Sequence, residues 1–277
     1  MYFAMKSIGF DDVETMRHMP ADSEKWRFIE KIANEFGFQG IQVTDGSFYG
    51  EFGLPLDNLP DCIKSFRLTY HLGEAYDLSD DIEYAKNDSV IESAFRSAVN
   101  NGMEDVSIHP PLNPSFVSPD SPDLLDRRCK SKNNLTALIE KWLPKFGAEG
   151  ITFSMEDHVG GNAFLFDGLE KYAEFVRSYP DLGVLTDISH KINDGYSISD
   201  IFFILDGLKI TGMHLSDAFA NIDVRLGTHL PVGKGNIDFA GALRLFRGVD
   251  KVYGALEMRA AADEIRSSLS KLMQYSI

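Results

Sequence analysis

A single (β/α)8 barrel spanning residues 1–277 is the fold class the sequence predicts, on three observations. Eight short apolar, β-branched runs alternate with eight amphipathic segments along the whole chain. No G-x-G-x-x-G turn follows a strand, as the rival doubly wound open sheet would favour. No low-complexity tract and no Pro-, Gly- or Ser-rich linker divides the chain, and 277 residues suit one such barrel.

The strands are predicted at 3–8 (FAMKSI), 40–44 (GIQVT), 67–71 (RLTYH) and 104–109 (EDVSIH), then at 150–155 (GITFSM), 183–187 (GVLTD), 209–214 (KITGMH) and 252–257 (VYGALE). Apolar positions at helical spacing predict helices over 24–36, 57–65, 88–100, 121–146, 163–178, 197–206, 237–247 and 260–274. Asp22-Ser23 precedes the first helix, Asp88-Ser89 opens the third and Ser197 the sixth, because short polar side chains cap exposed backbone N–H groups. Gly147 and Gly207 stand where helices end. The Pro-rich stretch 110–123 lies between consecutive strand and helix elements, so it reads as an active-site loop.

Composition narrows the partners. The formal charge of −15 and pI near 4.8 repel phosphate backbones at long range, which makes a nucleic-acid partner unfavourable without excluding a local basic groove. Cys62 and Cys129 fall in no metal or redox motif, as in a reducing compartment. The start MYFAMKSIGF lacks the features of a signal peptide, and no apolar run reaches membrane-spanning length. A cytoplasmic protein is expected.

Chemistry gathers at the strand ends. The third strand closes on His71, the fourth on His109, the sixth on Asp187, the seventh on His214 and the eighth on Glu257, while Glu156 follows the fifth. His190 lies three residues past Asp187, and His229 sits in the loop after strand seven. Five of the seven histidines are thus at or just past a strand end; the others are His18 and His158. A lone strand-end histidine is more often a satisfied loop residue than a ligand. Six such residues on six consecutive strands are another matter, because the C-terminal ends of barrel strands converge on one mouth. Imidazole and carboxylate together suit a divalent ion such as zinc or manganese, and carboxylates at this density repel one another without a cation.

Several segments carry a resemblance: Thr69-Tyr70-His71, Ser107-Ile108-His109-Pro110, Ser154-Met155-Glu156, Thr186-Asp187-Ile188-Ser189-His190, Met213-His214-Leu215-Ser216-Asp217, Leu256-Glu257-Met258-Arg259 and, most specifically, HLPVGKGNIDF from His229 to Phe239. Over its whole length the chain resembles the xylose isomerase-like TIM barrels, a superfamily of sugar and sugar-phosphate isomerases and epimerases together with endonuclease IV. The resemblance implies a metal site of Glu156, Asp187, His214 and Glu257. Glu156 or Glu257 would move a proton through an enediolate, and His190 would orient or polarise substrate oxygens. His71, His109, Lys234 and Arg259 are the substrate-binding candidates. The expected partner is a small sugar, sugar phosphate or polyol.

The endonuclease IV branch implies an alternative, a zinc phosphodiesterase acting on abasic DNA, with His71, His109, His190 and His229 as further metal ligands. The chain departs from that branch at Gly227, where endonuclease IV has an aspartate ligand. The run Arg127, Arg128, Lys130 and Lys132 reads first as a solvated helix face, with phosphate gripping as the alternative. Arg259 could as well pair with a neighbouring acid. Gly160-Gly161 reads as a mobile loop or a plain turn, and Phe48, Tyr49 and Phe52 as a sugar-facing wall or rim packing.

Overall fold

Eight parallel strands close in chain order into one barrel: β1 Tyr2–Lys6, β2 Gly40–Thr44, β3 Arg67–His71, β4 Asp105–Ile108, β5 Thr152–Glu156, β6 Gly183–Asp187, β7 Lys209–Leu215 and β8 Tyr253–Leu256. The structure, a computed structural model, describes residues 1–6, 22–44, 56–73, 75–117, 120–158, 163–246, 252–258 and 260–275. Each predicted strand has its counterpart, with described ends displaced by a residue or two; residues 7–8 of the first lie outside the described residues. β1 pairs with both β2 and β8, so the sheet has no edge to protect.

Side chains alternate along each strand between two environments. One set (Ile41 and Val43, Leu68 and Tyr70, Val106 and Ile108, Phe153 and Met155) packs beneath the helices in the main apolar core. The other set points into the barrel. Its apolar part is a small cluster of Tyr2, Ala4, Leu185, Tyr253 and Ala255. The rest is polar: the hydrogen bonds Gln42–Tyr253, Tyr253–Asp105 and Ser154–Thr211 link strands that are not neighbours, possible only across the interior, and Ser154 also donates to Asp105 on the adjacent strand. Gly212 makes room for this, since a Cβ there would lie 2.4 Å from the Tyr253 ring. A register shift between Val184 and Leu185 then sets Asp187 directly opposite His214.

The helices correct the sequence reading in places. The third runs Asp81–Asn101, a turn and more earlier than predicted, and its cap is Asp80, whose carboxylate accepts from the N–H groups of Ile82 (2.8 Å) and Glu83 (3.1 Å). Asp88 is mid-helix, where its carboxylate accepts from Trp142 Nε1 at 2.8 Å and ties this helix to Leu124–Ala148. Asp80→Ala is expected to lower the urea midpoint by removing the cap, whereas Ser89→Ala should change little. Gly147 lies inside the helix Leu124–Ala148, and Gly150 carries the positive φ of 71° that ends the turn. The segments predicted at 57–65 and 163–178 are helical only at Asp61–Lys64 and Leu169–Val176. Short helices unforeseen in the sequence, Pro114–Val117, Ile188–Asn193 and Val224–Gly227, follow β4, β6 and β7. Among the described residues no helix is long and apolar enough to cross a membrane.

Candidate metal centre

The strand ends converge as alternation requires. His71, Glu156 and Asp187 close β3, β5 and β6, His214 is the penultimate residue of β7, and His109 and Glu257 stand one residue past β4 and β8. His214 and Asp187 are fully buried, with His71 and Glu156 nearly so.

Glu156 is the hub. Its Oε2 lies 3.3 Å from His71 Nε2 and 2.9 Å from His109 Nε2, while its Oε1 lies 3.4 Å from His214 Nδ1. Glu257 Oε2 approaches the same His214 nitrogen at 2.7 Å, and Asp187 Oδ2 stands 3.7 Å from both His214 Nδ1 and His190 Nε2. Three groups with the spacing of metal ligands result: His71, His109 and Glu156; Glu156, Asp187 and His214; Asp187, His190 and His229. Two carboxylates are each shared between neighbouring groups.

Local structure aims these atoms. Asp187 caps Ile188–Asn193, its Oδ1 accepting from His190 N (3.0 Å) and Ser189 Oγ (2.7 Å), which leaves Oδ2 facing the cluster. The Ser107 hydroxyl donates to the Tyr70 carbonyl (3.3 Å), so it receives a proton from His71 Nδ1 (3.0 Å) and leaves His71 Nε2 as a lone pair. His229 Nδ1 donates to the Glu257 carbonyl at 3.1 Å from an unusual left-handed backbone (φ 56°). Such outward partners fix the tautomer of metal-ligating histidines.

Do these residues fit a cation? Among the described residues, Glu156 Oε2, Asp187 Oδ2 and His214 Nδ1 are buried side-chain atoms that complete no hydrogen bond, and the three side chains form one of the groups with ligand spacing. Buried polar atoms are rarely left so, and the donor set of imidazole and carboxylate suits a borderline divalent ion. Burial alone would raise Glu156, yet His109 and His214 hold its carboxyl well below the usual range. Burial opposes a proton on His214, but Glu257 and Glu156 pull it well above the ordinary imidazole value. The cluster therefore draws positive charge, as a proton or as a metal ion.

A profile of the xylose isomerase-like TIM barrel family matches residues 4–275. The chain belongs to that family. No curated protein sequence matches it. Among solved structures it is similar to D-psicose 3-epimerase from Clostridium cellulolyticum, at 11% identity and a TM-score of 0.72 over 100% of this chain and 99% of that one. It is also similar to the probable 3-DHS dehydratase AsbF of Bacillus anthracis, at 18% identity and a TM-score of 0.72 over 99% of each chain. A third likeness is to the IOLI protein with a bound zinc atom, at 15% identity and a TM-score of 0.71 over 100% of this chain and 98% of that one. These are likenesses of fold.

Other sequence candidates fall elsewhere. Lys234 is exposed in the turn after Pro231 and makes no described contact with the cluster. The HLPVGKGNIDF stretch instead wraps the buried Asp217, whose carboxylate accepts from the N–H groups of Ala218, Gly233 and Ile237 at 2.8–3.0 Å. His229 is the first residue of this loop. At Gly227 a Cβ would lie 2.8 Å from Asn193 Nδ2, so an asparagine side chain crowds the position where endonuclease IV has an aspartate. In the basic run, Arg127 pairs with Asp77 (2.6 Å), Arg128 with Asp167 (2.7 Å) and Lys130 with Asp81 (2.7 Å), which supports the solvated-face reading. Arg259, His18, Phe48, Tyr49, Phe52 and Gly160-Gly161 lie outside the described residues.

Two neighbours of the cluster escaped the sequence reading. Lys6 ends β1 with its Nζ against Glu257 Oε1, supplying one positive charge among the carboxylates. His158 lies with ring centroids 4.2 Å from His190, 5.5 Å from His109 and 4.1 Å from Phe164. Neither stands in a motif; Lys6 is one of many lysines, and His158 follows Glu156 by two in a loop.

Deeper in the barrel, burial lifts Asp105 to about 7 against the opposing hydroxyls of Ser154 and Tyr253. A carboxyl raised on folding makes the folded state bind more protons, so its stabilising contribution is complete below the unfolded pKa near 3.9 and is lost as pH rises through about 7. Asp105→Asn is expected to flatten the fall in urea midpoint between about pH 4 and about pH 7; an unchanged slope refutes this.

Proposed function

We propose that the protein is a metal-dependent isomerase or epimerase-type enzyme acting on a small sugar, sugar phosphate or polyol through an enediolate of the substrate. The observation that carries this reading is the pair of carboxylates, Glu156 and Glu257, facing His214 Nδ1 at 3.4 and 2.7 Å. Glu257 is the more exposed of the two, at 19% against 2%. A divalent ion held by Glu156, Asp187, His214 and Glu257 supplies Lewis acidity toward a carbonyl and its neighbouring hydroxyl. One carboxylate removes the proton from the carbon beside the carbonyl, and the other, entering the step as the carboxylic acid, delivers its own proton to the enediolate. Lys6 and His214 hold Glu257 at its two oxygens, and His190, whose ring packs 4.9 Å from that of His229, would orient substrate oxygens.

A second reading, a zinc phosphodiesterase, is favoured by the two outer ligand groups, which a single-ion proton transfer does not need. Against it stand the net charge of −15 and the pairing of Arg127, Arg128 and Lys130 with acids. Incubation of the metal-loaded protein in deuterium oxide with a panel of ketohexoses and keto-polyols should place deuterium beside the carbonyl of at least one. No exchange with any of them, together with nicking of abasic-site DNA that Glu257→Gln abolishes, transfers the assignment to the second reading.

A further inference from the structure

From the polar interior of the barrel we infer that Gln42, Tyr253 and Asp105 are positioning residues that lock His214 with its proton on Nε2 and its Nδ1 lone pair turned to the carboxylates. The inference rests on the proposed cation at that cluster. Gln42, at the middle of β2, places its Oε1 3.0 Å from His214 Nε2. An amide oxygen only accepts, so this contact requires a proton on Nε2. The opposite amide orientation is disfavoured by what stands behind it. Gln42 Nε2 faces the Tyr253 hydroxyl at 3.4 Å, and that hydroxyl donates to Asp105 Oδ2 at 3.0 Å.

Tyr253 has one proton to give. Were it given to Gln42, Asp105 Oδ2 would be left against oxygen lone pairs inside the barrel, a costly arrangement for a buried carboxylate. The order Asp105, Tyr253, Gln42, His214 therefore runs in one direction, each group donating toward Asp105. A proton on Asp105 itself leaves the order intact if it sits on Oδ1, where Ser154 faces it and passes its own hydroxyl proton to Thr211 (2.9 Å). The four groups come from β4, β8, β2 and β7, and Gly212 leaves the space in which the Tyr253 ring lies. At the far end, His214 Nδ1 is one of the buried atoms without a hydrogen bond among the described residues, 2.7–3.7 Å from Glu257, Glu156 and Asp187.

The test is zinc affinity measured by competition with a chromophoric chelator, alongside thermal melting and, on the zinc-loaded protein, the ¹⁵N imidazole spectrum. Gln42→Leu is expected to weaken zinc binding ten- to a hundred-fold, the range for outer partners of a ligating histidine, and Tyr253→Phe to weaken it less. Gln42→Glu restores an acceptor and should return affinity to within a few-fold of the parent, which a purely structural role would not do. The parent spectrum should show His214 protonated at Nε2. Equal zinc affinity in Gln42→Leu and the parent overturns the inference while leaving the metal reading standing, as does equal weakening by Gln42→Leu and Gln42→Glu. A parent protein that binds no zinc overturns both. Should Gln42→Leu fail to fold, Tyr253→Phe and Gln42→Glu carry the same comparison.

Discussion

Glu156→Gln is expected to remove divalent-ion binding from the centre of the cluster and to lower activity by about 10²–10⁴-fold. The reason is its double duty. One oxygen faces His71 and His109, and the other faces His214, so a single carboxylate joins two of the three ligand groups. An amide of the same shape keeps the packing but offers neither the charge nor a second ligating oxygen. The folded state should survive, since the buried negative charge is lost along with its attraction to the ion. Elemental analysis of the purified variant, set beside the parent, measures the outcome; a variant that retains the parental metal content removes Glu156 from the ligand set. Asp187→Asn should show a related defect with one difference. Its Oδ1 still caps Ile188–Asn193, so the helix start is kept while the inward ligand is weakened.

Zinc or manganese is expected to raise the melting temperature by roughly 10 °C when present at about a thousand times its dissociation constant. Ligand-linked stabilisation is then about 4 kcal/mol, and each kcal/mol moves the midpoint of a domain of this size by about 2–4 °C. The structural ground is the grouping of Glu156, Asp187 and His214, each with a buried atom that completes no hydrogen bond among the described residues. Without a cation they rely on protons, as the upward displacement of His214 indicates. Differential scanning fluorimetry with a chelator and then with graded metal reads the effect. The same midpoint under both conditions excludes a resident cation, and a shift that persists in Glu156→Gln moves the ion elsewhere.

Much of the centre was legible in the sequence because barrel geometry converts a pattern of strand ends into a place. His71, His109, Glu156, Asp187, His214 and Glu257 lie far apart along the chain, yet each ends a run of alternating apolar residues, and parallel closure brings such ends to one mouth. Lys6 and His158 were not legible, since neither differs in its surroundings from an ordinary lysine or loop histidine. The early start of the helix Asp81–Asn101 was hidden because Asp88-Ser89 carries the same capping chemistry as Asp80; only the contact of Asp88 with Trp142 shows it to be mid-helix. HLPVGKGNIDF carries the most specific part of the family resemblance. Only the structure shows that its backbone N–H groups close over the Asp217 carboxylate, with His229 as its first residue.

The sequence by itself determined the closed eight-stranded barrel, the strand ends that carry imidazole and carboxylate, and a charge balance unfavourable to a nucleic-acid partner. Periodicity, local capping and composition are properties of neighbouring residues, so they can be read without coordinates. Only the tertiary structure decided which oxygens are shared between ligand groups, which nitrogen of His214 faces inward, and that Gln42, Tyr253 and Asp105 stand behind it. Those are relations between strands remote in the chain. They are set by the closure of the barrel, the register shift between β6 and β7, and the side-chain-free space at Gly212.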